Sequence, residues 1–415
     1  MSHGALGSNP HTSDETTGAA FDDVICLASQ CWDSHWATPQ QTCSRLARQA
    51  KVLYVEPLRS PLWALRRAST QSTRPSGEVA EVAPNLWVLT LRPAFAPLEL
   101  YRRLPLLRSF NSLLMSVLVR RTARRLGLLD PVVWAYQITH AGAPLWRQAR
   151  VSVYDCIDEW AGCTDDASLK NYFTALDRQM CTEADVLFLG SSALAAPRRA
   201  LNDCHRLVPQ GVDLQHFLPP PDGRVPQDLA GLPGPVIGLV GVLNRERIDI
   251  ELLCQMAAQR PGWSIVLVGP VWDGLDTARL DRHPNIHRLG NRPREELGRY
   301  LSGFDVCMLP YLINDFTRNI FPLKLYEYLA AGKPFVSTPV PACMEFGDLI
   351  HIAQGPDSFV AAVETALAED TPALRARRIA LARQNDWDRR VADKLSLVKK
   401  GRTLQLDNAL TTRRT

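Results

Sequence analysis

The chain has 415 residues, nearly half of them apolar, and a formal net charge of +4. At about 150–200 residues per domain, that length predicts two domains, and the apolar content is ample for two cores. Ten cysteines without paired CxxC spacing argue against a four-ligand metal centre, since Cys156 with Cys163 and Cys204 beside His205 lack partner pairs. They read as reduced thiols of a cytoplasmic protein.

Residues 1–22 are small, polar and rich in Ser and Thr, the composition of a disordered leader, and hold no apolar core of a secretion signal. VICLAS (24–29) then has the pattern of a buried parallel strand. The loop after it contains Trp32, Asp33, His35 and Trp36 and leads into a helix, TCSRLARQA. KVLYVEP (51–57) and Leu86–Leu91 are further strands. Between Arg59 and Arg125 stand twelve arginines against three acids, Glu78, Glu81 and Glu99. Around Phe110, Leu113, Leu114, Val117 and Leu118, repeating at helical spacing, two readings compete. One is a core-facing helix with solvated arginine ends. The other is a basic amphipathic patch, segment 102–125, lying on anionic lipid. Its uncharged run, Ser109 to Val119, is far shorter than the ~20 residues that span a bilayer. Nucleic acid is not an expected partner, because no aromatic interleaving accompanies the charge.

VVWAY (132–136), VSVYD (151–155), DVLFLGS (185–191) and Arg206–Pro209 continue the alternation of strands with helices, including one over Asn171 to Glu183. That alternation predicts parallel sheets with helices on both faces, an α/β protein of two facing Rossmann-like domains. The expected division is a first domain over 23–208, a Pro- and Gly-dense linker over 209–231 and a second domain over 232–370. Charged helices over 371–400 and a tail over 401–415 follow. Strands are expected at 236–240, 264–269, 286–289, 305–309, 335–337 and 349–353.

The most informative stretch is NDFTRNIFPLKLYEYLAAGKPFVST (314–338). Pro322 suits the first turn of a helix, and Gly332 suits its left-handed stop with Pro334 just beyond. A helix start with Lys324 in its first turn is a ready anion site, and Glu327 lies close enough to hydrogen-bond a sugar hydroxyl on the same ligand. Phosphate plus ribose on one helix implies a nucleotide. Upstream, GLVGVLNRER (238–247) ends a strand, where Gly241 admits a ligand and Arg245 or Arg247 can grip phosphate. Asn291 follows another strand end. Asn314, Asp315, Thr317, Arg318 and Asn319 crowd polar groups into the loop before the helix.

FPLKLYEYLAAGKPFVST resembles the nucleotide-sugar segment of GT-B glycosyltransferases, in particular the glycogen-synthase-like (family 4/1) bacterial polysaccharide enzymes. WDSHWATPQQ and YDCIDEW are similar to segments of the teichuronic-acid type. In that family two glutamates flank seven residues; Glu327 matches the second, which holds the ribose, while Asn319 stands at the first and brings no charge. The resemblance implies phosphate contacts from Lys324 and Arg245, with Arg247 as the second candidate, and base contact near Asn291. It places the donor sugar near Arg318 and Asn319, and the last helix, with Trp387 as anchor, crossing back onto the first domain. Acceptor activation falls to Asp33, His35 or Asp158, on strand-end loops that also hold Gln137, His140, Asp155 and Glu159. No apolar stretch ends in DxD, so neither a metal nor a cofactor is expected beyond the nucleoside-diphosphate-sugar substrate.

The implied activity is retaining transfer of a sugar to a hydroxyl of a lipid-linked glycan, in exopolysaccharide or cell-surface polysaccharide synthesis. The enzyme would be cytoplasmic, peripheral on the inner membrane face. A nucleotide-sugar epimerase of the same fold and a non-catalytic scaffold that binds partner transferases are the alternatives.

Overall fold

The computed structural model describes residues 23–57, 75, 77–91, 104–272 and 274–412, with side chains through Lys400. The expected leader, 1–22, and part of the arginine-rich segment lie outside these residues.

The first sheet has eight strands: β1 Val24–Leu27, β2 Val52–Val55, β3 Val79–Ala83, β4 Leu86–Leu89, β5 Val132–Ala135, β6 Ser152–Cys156, β7 Val186–Leu189 and β8 His205–Leu207. Their order is β3-β4-β2-β1-β5-β6-β7-β8, parallel throughout except for the β3–β4 hairpin. Period-2 alternation sends Ile25 and Leu27 into one apolar cluster and Val24 and Cys26 into another, so both faces are covered. Helix α1 (Thr38–Leu46) lies on one face, and α2 (Pro105–Arg125) and α3 (Ala167–Glu183) lie on the other. β3 was not expected from the sequence: VAEVA is a short edge strand whose residues are all at least partly exposed. Its hairpin turns at Asn85, with φ 62°, a left-handed conformation that asparagine tolerates.

The second sheet has six parallel strands: β9 Val236–Val240, β10 Ser264–Val268, β11 Ile286–Gly290, β12 Val306–Leu309, β13 Phe335–Ser337 and β14 His351–Ile352. Their order, β11-β10-β9-β12-β13-β14, reverses direction of growth at β9, which opens a crevice at the carboxyl ends of β9 and β12. Helix α4 (Leu323–Ala330) buries Leu325 through Ala330. It stops in a Schellman arrangement: Gly332, at φ 70°, donates to Leu329 O, and Lys333 donates to Tyr328 O. Pro322 is the N-cap residue, in extended conformation, one position before the first turn assigned to it.

Helix α5 (Pro372–Gln384) packs on α4, and α6 (Trp387–Thr412) crosses to the first sheet. There Val391, Leu395 and Val398 join the cluster of Val24 and Cys26. Lys394 forms a fully buried ion pair with Asp155, and Arg45 reaches Asp388 at 2.9 Å. The helix continues through 401–412, where a tail was expected. The chain crosses between the sheets twice, and the crossings bond to each other: Val212 N donates to Asn385 O, and Trp387 N to Val212 O.

One of the two readings of the basic helix is overturned. In α2 the apolar set Phe110, Leu113, Leu114, Val117 and Leu118 is exposed, and the inner stripe is Asn111, Met115, Ser116, Val119 and Ala123. The small inner residues let the helix lie close, and Ser116 Oγ bonds both Leu145 N and Ser112 O. Among the described residues no helix is long and apolar enough to cross a membrane.

Candidate active site

A cavity of about 470 Å³ lies between the two sheets. Its floor is the crevice of the second sheet. At the ends of β9 and β10, Gly241 and Gly269 have φ of 152° and 144°. A Cβ on Gly269 would fall 1.9 Å from Gly241 O, and one on Gly241 would fall 2.7 Å from Lys324 Cε. Only glycine lets these strand ends approach and lets the lysine stem lie across them. Pro322, Leu323 and Lys324 line the cavity at the start of α4, and no side chain caps that helix. The uncapped start of α4, the positive end of the helix dipole, therefore borders the cavity.

Lys324 and Glu327 pair with each other across one turn at 2.9 Å, both mostly buried. They were expected on separate parts of one ligand; in this structure each is the other's counter-ion. Arg247 lies beside them, its guanidinium 5.0 Å from the Phe316 ring centroid and its Nε buried without a partner. A buried donor without a partner is costly, so the position suits an arriving acceptor of hydrogen bonds.

The roof comes from the first sheet. The loop after β1 is tied down by buried Glu56, which accepts from Trp32 N at 2.9 Å and Thr90 Oγ1 at 2.8 Å. Gln40 Nε2 donates to Cys31 O, and Gln40 Oε1 accepts from Ala37 N. So anchored, the loop presents Asp33 and His35 to the cavity, opposite Lys324. The pKa of His35 is lowered to about 4, first because protein displaces solvent around it, then because Arg247 and Lys324 face it. Its imidazole is neutral at ordinary pH. Burial raises the pKa of Asp158, and Arg247 partly offsets that shift.

Of the residues read from the sequence, the cavity gathers Asp33, His35, Asp158, Gly241, Arg247, Asn291, Lys324 and Glu327. Arg245, Arg318 and Asn319 do not line it. Arg245 points outward and pairs with Glu246 at 3.4 Å, while the turn that Asn244 closes by accepting from Arg247 N and Ile248 N brings Arg247 to the cavity. The polar loop 314–319 mostly builds itself. Asn314 Oδ1 accepts from Phe316 N and Thr317 N, and Asn319 Nδ2 donates to Asp315 O at 2.7 Å. Asp315 pairs with Lys170 of the first half at 2.6 Å, and Ser191 Oγ donates to Asn319 O. Asp155 serves Lys394 and Trp134, Gln137 bonds Ala28 O, and Glu159 bonds Arg198.

Two cleft residues were not anticipated. Trp272, after β10, meets His35 edge-on at 5.6 Å across the cleft. Arg294 lies 4.6 Å from the Trp36 ring centroid and pairs with Asp213 of the linker. A tryptophan at a strand end was the one available signal; the Arg294 contact joins loops 258 positions apart and leaves no local trace. Among the described residues no three His, Cys, Asp or Glu side chains group as metal ligands.

Residues 234–369 match the family model "Glycosyl transferases group 1". The chain is 27% identical over 277 residues to TuaH of Bacillus subtilis (strain 168), named as a teichuronic acid biosynthesis glycosyltransferase; the match covers 60% of this chain and 68% of that protein. Sucrose-phosphate synthase from Thermosynechococcus elongatus superposes with a TM-score of 0.62 at 18% identity, covering 94% of this chain and 100% of that one. HepE of Anabaena, in complex with UDP, gives 0.62 at 15% identity over 90% and 99% of the two chains. The second sheet thus lies in a segment that matches a group 1 glycosyltransferase domain, and the two facing Rossmann-like domains have the GT-B fold.

Proposed function

We propose that the chain moves a sugar from a nucleoside-diphosphate-sugar donor to a hydroxyl of a lipid-linked glycan in cell-surface polysaccharide synthesis. The supporting observation is the convergence of Lys324, Arg247 and the uncapped start of α4 on one cavity wall, with Glu327 one turn along. A departing diphosphate needs positive charge that is already in place, and these groups supply it without a resident metal. On donor binding Lys324 exchanges Glu327 for phosphate, and Glu327 turns to the ribose. Asn291 sits at the base end of the cavity. His35, neutral and facing the phosphate cations, is placed to hydrogen-bond the transferred sugar. Asp158 and Asp33 are the remaining candidates for receiving the acceptor's proton, and retention of configuration is the stereochemical course we infer.

The named relatives support this reading: TuaH by its stated role, HepE by its bound UDP, and an E. coli trehalose-6-phosphate protein bound with UDP-2-fluoro glucose. Work at the inner face of the cytoplasmic membrane follows if the acceptor is lipid-linked.

A thermal-shift series with UDP-, GDP-, ADP- and dTDP-sugars tests the proposal, because a ligand that binds only the folded state raises its stability by mass action. One donor is expected to stabilise the protein, and Lys324→Ala to remove most of that shift. The proposal is abandoned if no donor stabilises it or if Lys324→Ala changes nothing. Incubating the donor alone distinguishes an epimerase, which would alter the sugar without an acceptor.

A further inference from the structure

Helix α2 carries its long apolar side chains away from the protein. Leu106 is 87% exposed, Leu113 51% and Val117 54%, with Leu114 and Leu118 beside them. At spacings of three and four the same face runs on into Arg121, Arg124 and Arg125. All three are exposed, and none has an ion-pair partner among the described residues. Pro105 to Arg125 holds five arginines and no acid.

An apolar stripe open to water marks a contact surface. The charge pattern identifies what contacts it. Past Leu113 the outer face offers neither a carboxylate nor an amide with which a protein partner could form specific polar pairs. It offers apolar bulk ending in uncompensated positive charge. The complementary surface is apolar inside and anionic at its rim, which describes a bilayer interface bearing acidic lipids.

We propose that the outer face of α2 is the docking surface for an anionic membrane, with the leucines and Val117 immersed and the three arginines on lipid phosphates. The helix begins on the cleft side of the first sheet. Arg108 Nη2 donates to Ala141 O at 2.7 Å, and Ala141 closes the turn after β5, at the same sheet end that presents Asp33 and His35. A docked bilayer therefore borders the acceptor side of the cleft, where a lipid-linked hydroxyl enters. This orientation rests on the reading of the cleft given above; the docking itself does not.

The test is cosedimentation of the full chain with vesicles of phosphatidylcholine alone or mixed equally with phosphatidylglycerol. Binding is expected to the mixed vesicles, to be weak on phosphatidylcholine alone and to fall in high salt. Leu113→Asp with Val117→Asp is expected to reduce binding at least about tenfold, since charge on the buried face opposes immersion. Replacing Arg121, Arg124 and Arg125 by Gln is expected to cost roughly fivefold per charge at low salt. Donor-induced thermal stabilisation measured in parallel should be the same in these variants as in the parent, which shows that they fold. The proposal is overturned if the parent does not bind mixed vesicles or if either variant binds as well as the parent. It is equally overturned if the aspartates dissolve a dimer in sedimentation velocity while vesicle binding persists, the sign of a second copy on this face. Failure of every donor to stabilise the parent, with vesicle binding intact, would remove the cleft reading and leave the docking surface standing.

Discussion

The two halves share one plan, a parallel sheet between helices, yet they use their polar residues differently. In the second half the groups at the strand ends, Gly241, Arg247, Lys324 and Glu327, face the cavity. In the first half most polar groups near the strand ends are spent on the fold. Asp155 holds Lys394, Glu56 holds Trp32 and Thr90, and Asp177 bonds Tyr154 and Arg198. Asp33, His35 and Asp158 line the cleft from that side. One lobe thus presents its cations to the cavity. The other carries the last helix of the chain and satisfies that helix's charge internally.

The largest effect that would break this contrast is on stability. Lys394→Ala leaves Asp155 buried with Trp134 Nε1 as a weak remaining partner at 3.2 Å. Removing one member of a buried ion pair costs about 3–5 kcal/mol, so chemical denaturation should show a loss of that order. Replacing both partners by apolar residues should recover much of it. A small loss for Lys394→Ala would mean that Asp155 is not structural and is free for other chemistry.

In the second half the same kind of truncation should affect binding before stability. Arg247→Ala removes a charged donor aimed at the cavity. Hydrogen bonds to charged groups are worth about 1.5–3 kcal/mol, so calorimetry with the donor identified by thermal shift should show roughly 10- to 100-fold weaker binding. Thermal unfolding without ligand should barely move.

His35 connects the two halves and titrates accordingly. Its pKa of about 4 lies below that of a free imidazole. The folded state therefore binds fewer protons than the unfolded state between the two values. The contribution of His35 to stability is complete above about pH 6.5 and is lost as pH falls toward 4. A bound diphosphate screens Arg247 and Lys324 and favours the imidazolium, so NMR titration should show the midpoint rising when nucleoside diphosphate is added. A midpoint near 6.5 in the free protein would show that neither loss of solvent nor the facing cations act on His35.

The smallest effect distinguishes neighbours. Arg245 is exposed and pairs with Glu246, so Arg245→Ala should change donor affinity by no more than about 0.5 kcal/mol, close to twofold. A loss equal to that of Arg247→Ala would mean that the loop after β9 turns over when ligand binds.

Local pattern alone determined much of this protein. Continuous apolar runs located every described strand except β3, whose alternating, half-exposed residues resemble the loop around it. Pro322, Gly332 and Pro334 framed α4 and put Lys324 in its first turn with Glu327 one turn on, because caps, breakers and first-turn charges act within a few residues of one another. Tertiary structure decided what depends on distant partners. The loop through Asn244 fixed which of Arg245 and Arg247 turns inward, and Lys394, remote in sequence, withdrew Asp155 from the cleft. Trp36 found Arg294 only because the two sheets face each other. The outward turn of Leu113 and Val117 is the plainest case. Helical spacing shows that residues share a face, but which face meets the core is set by how closely Met115, Val119 and Ala123 can approach the sheet, and no single segment encodes that.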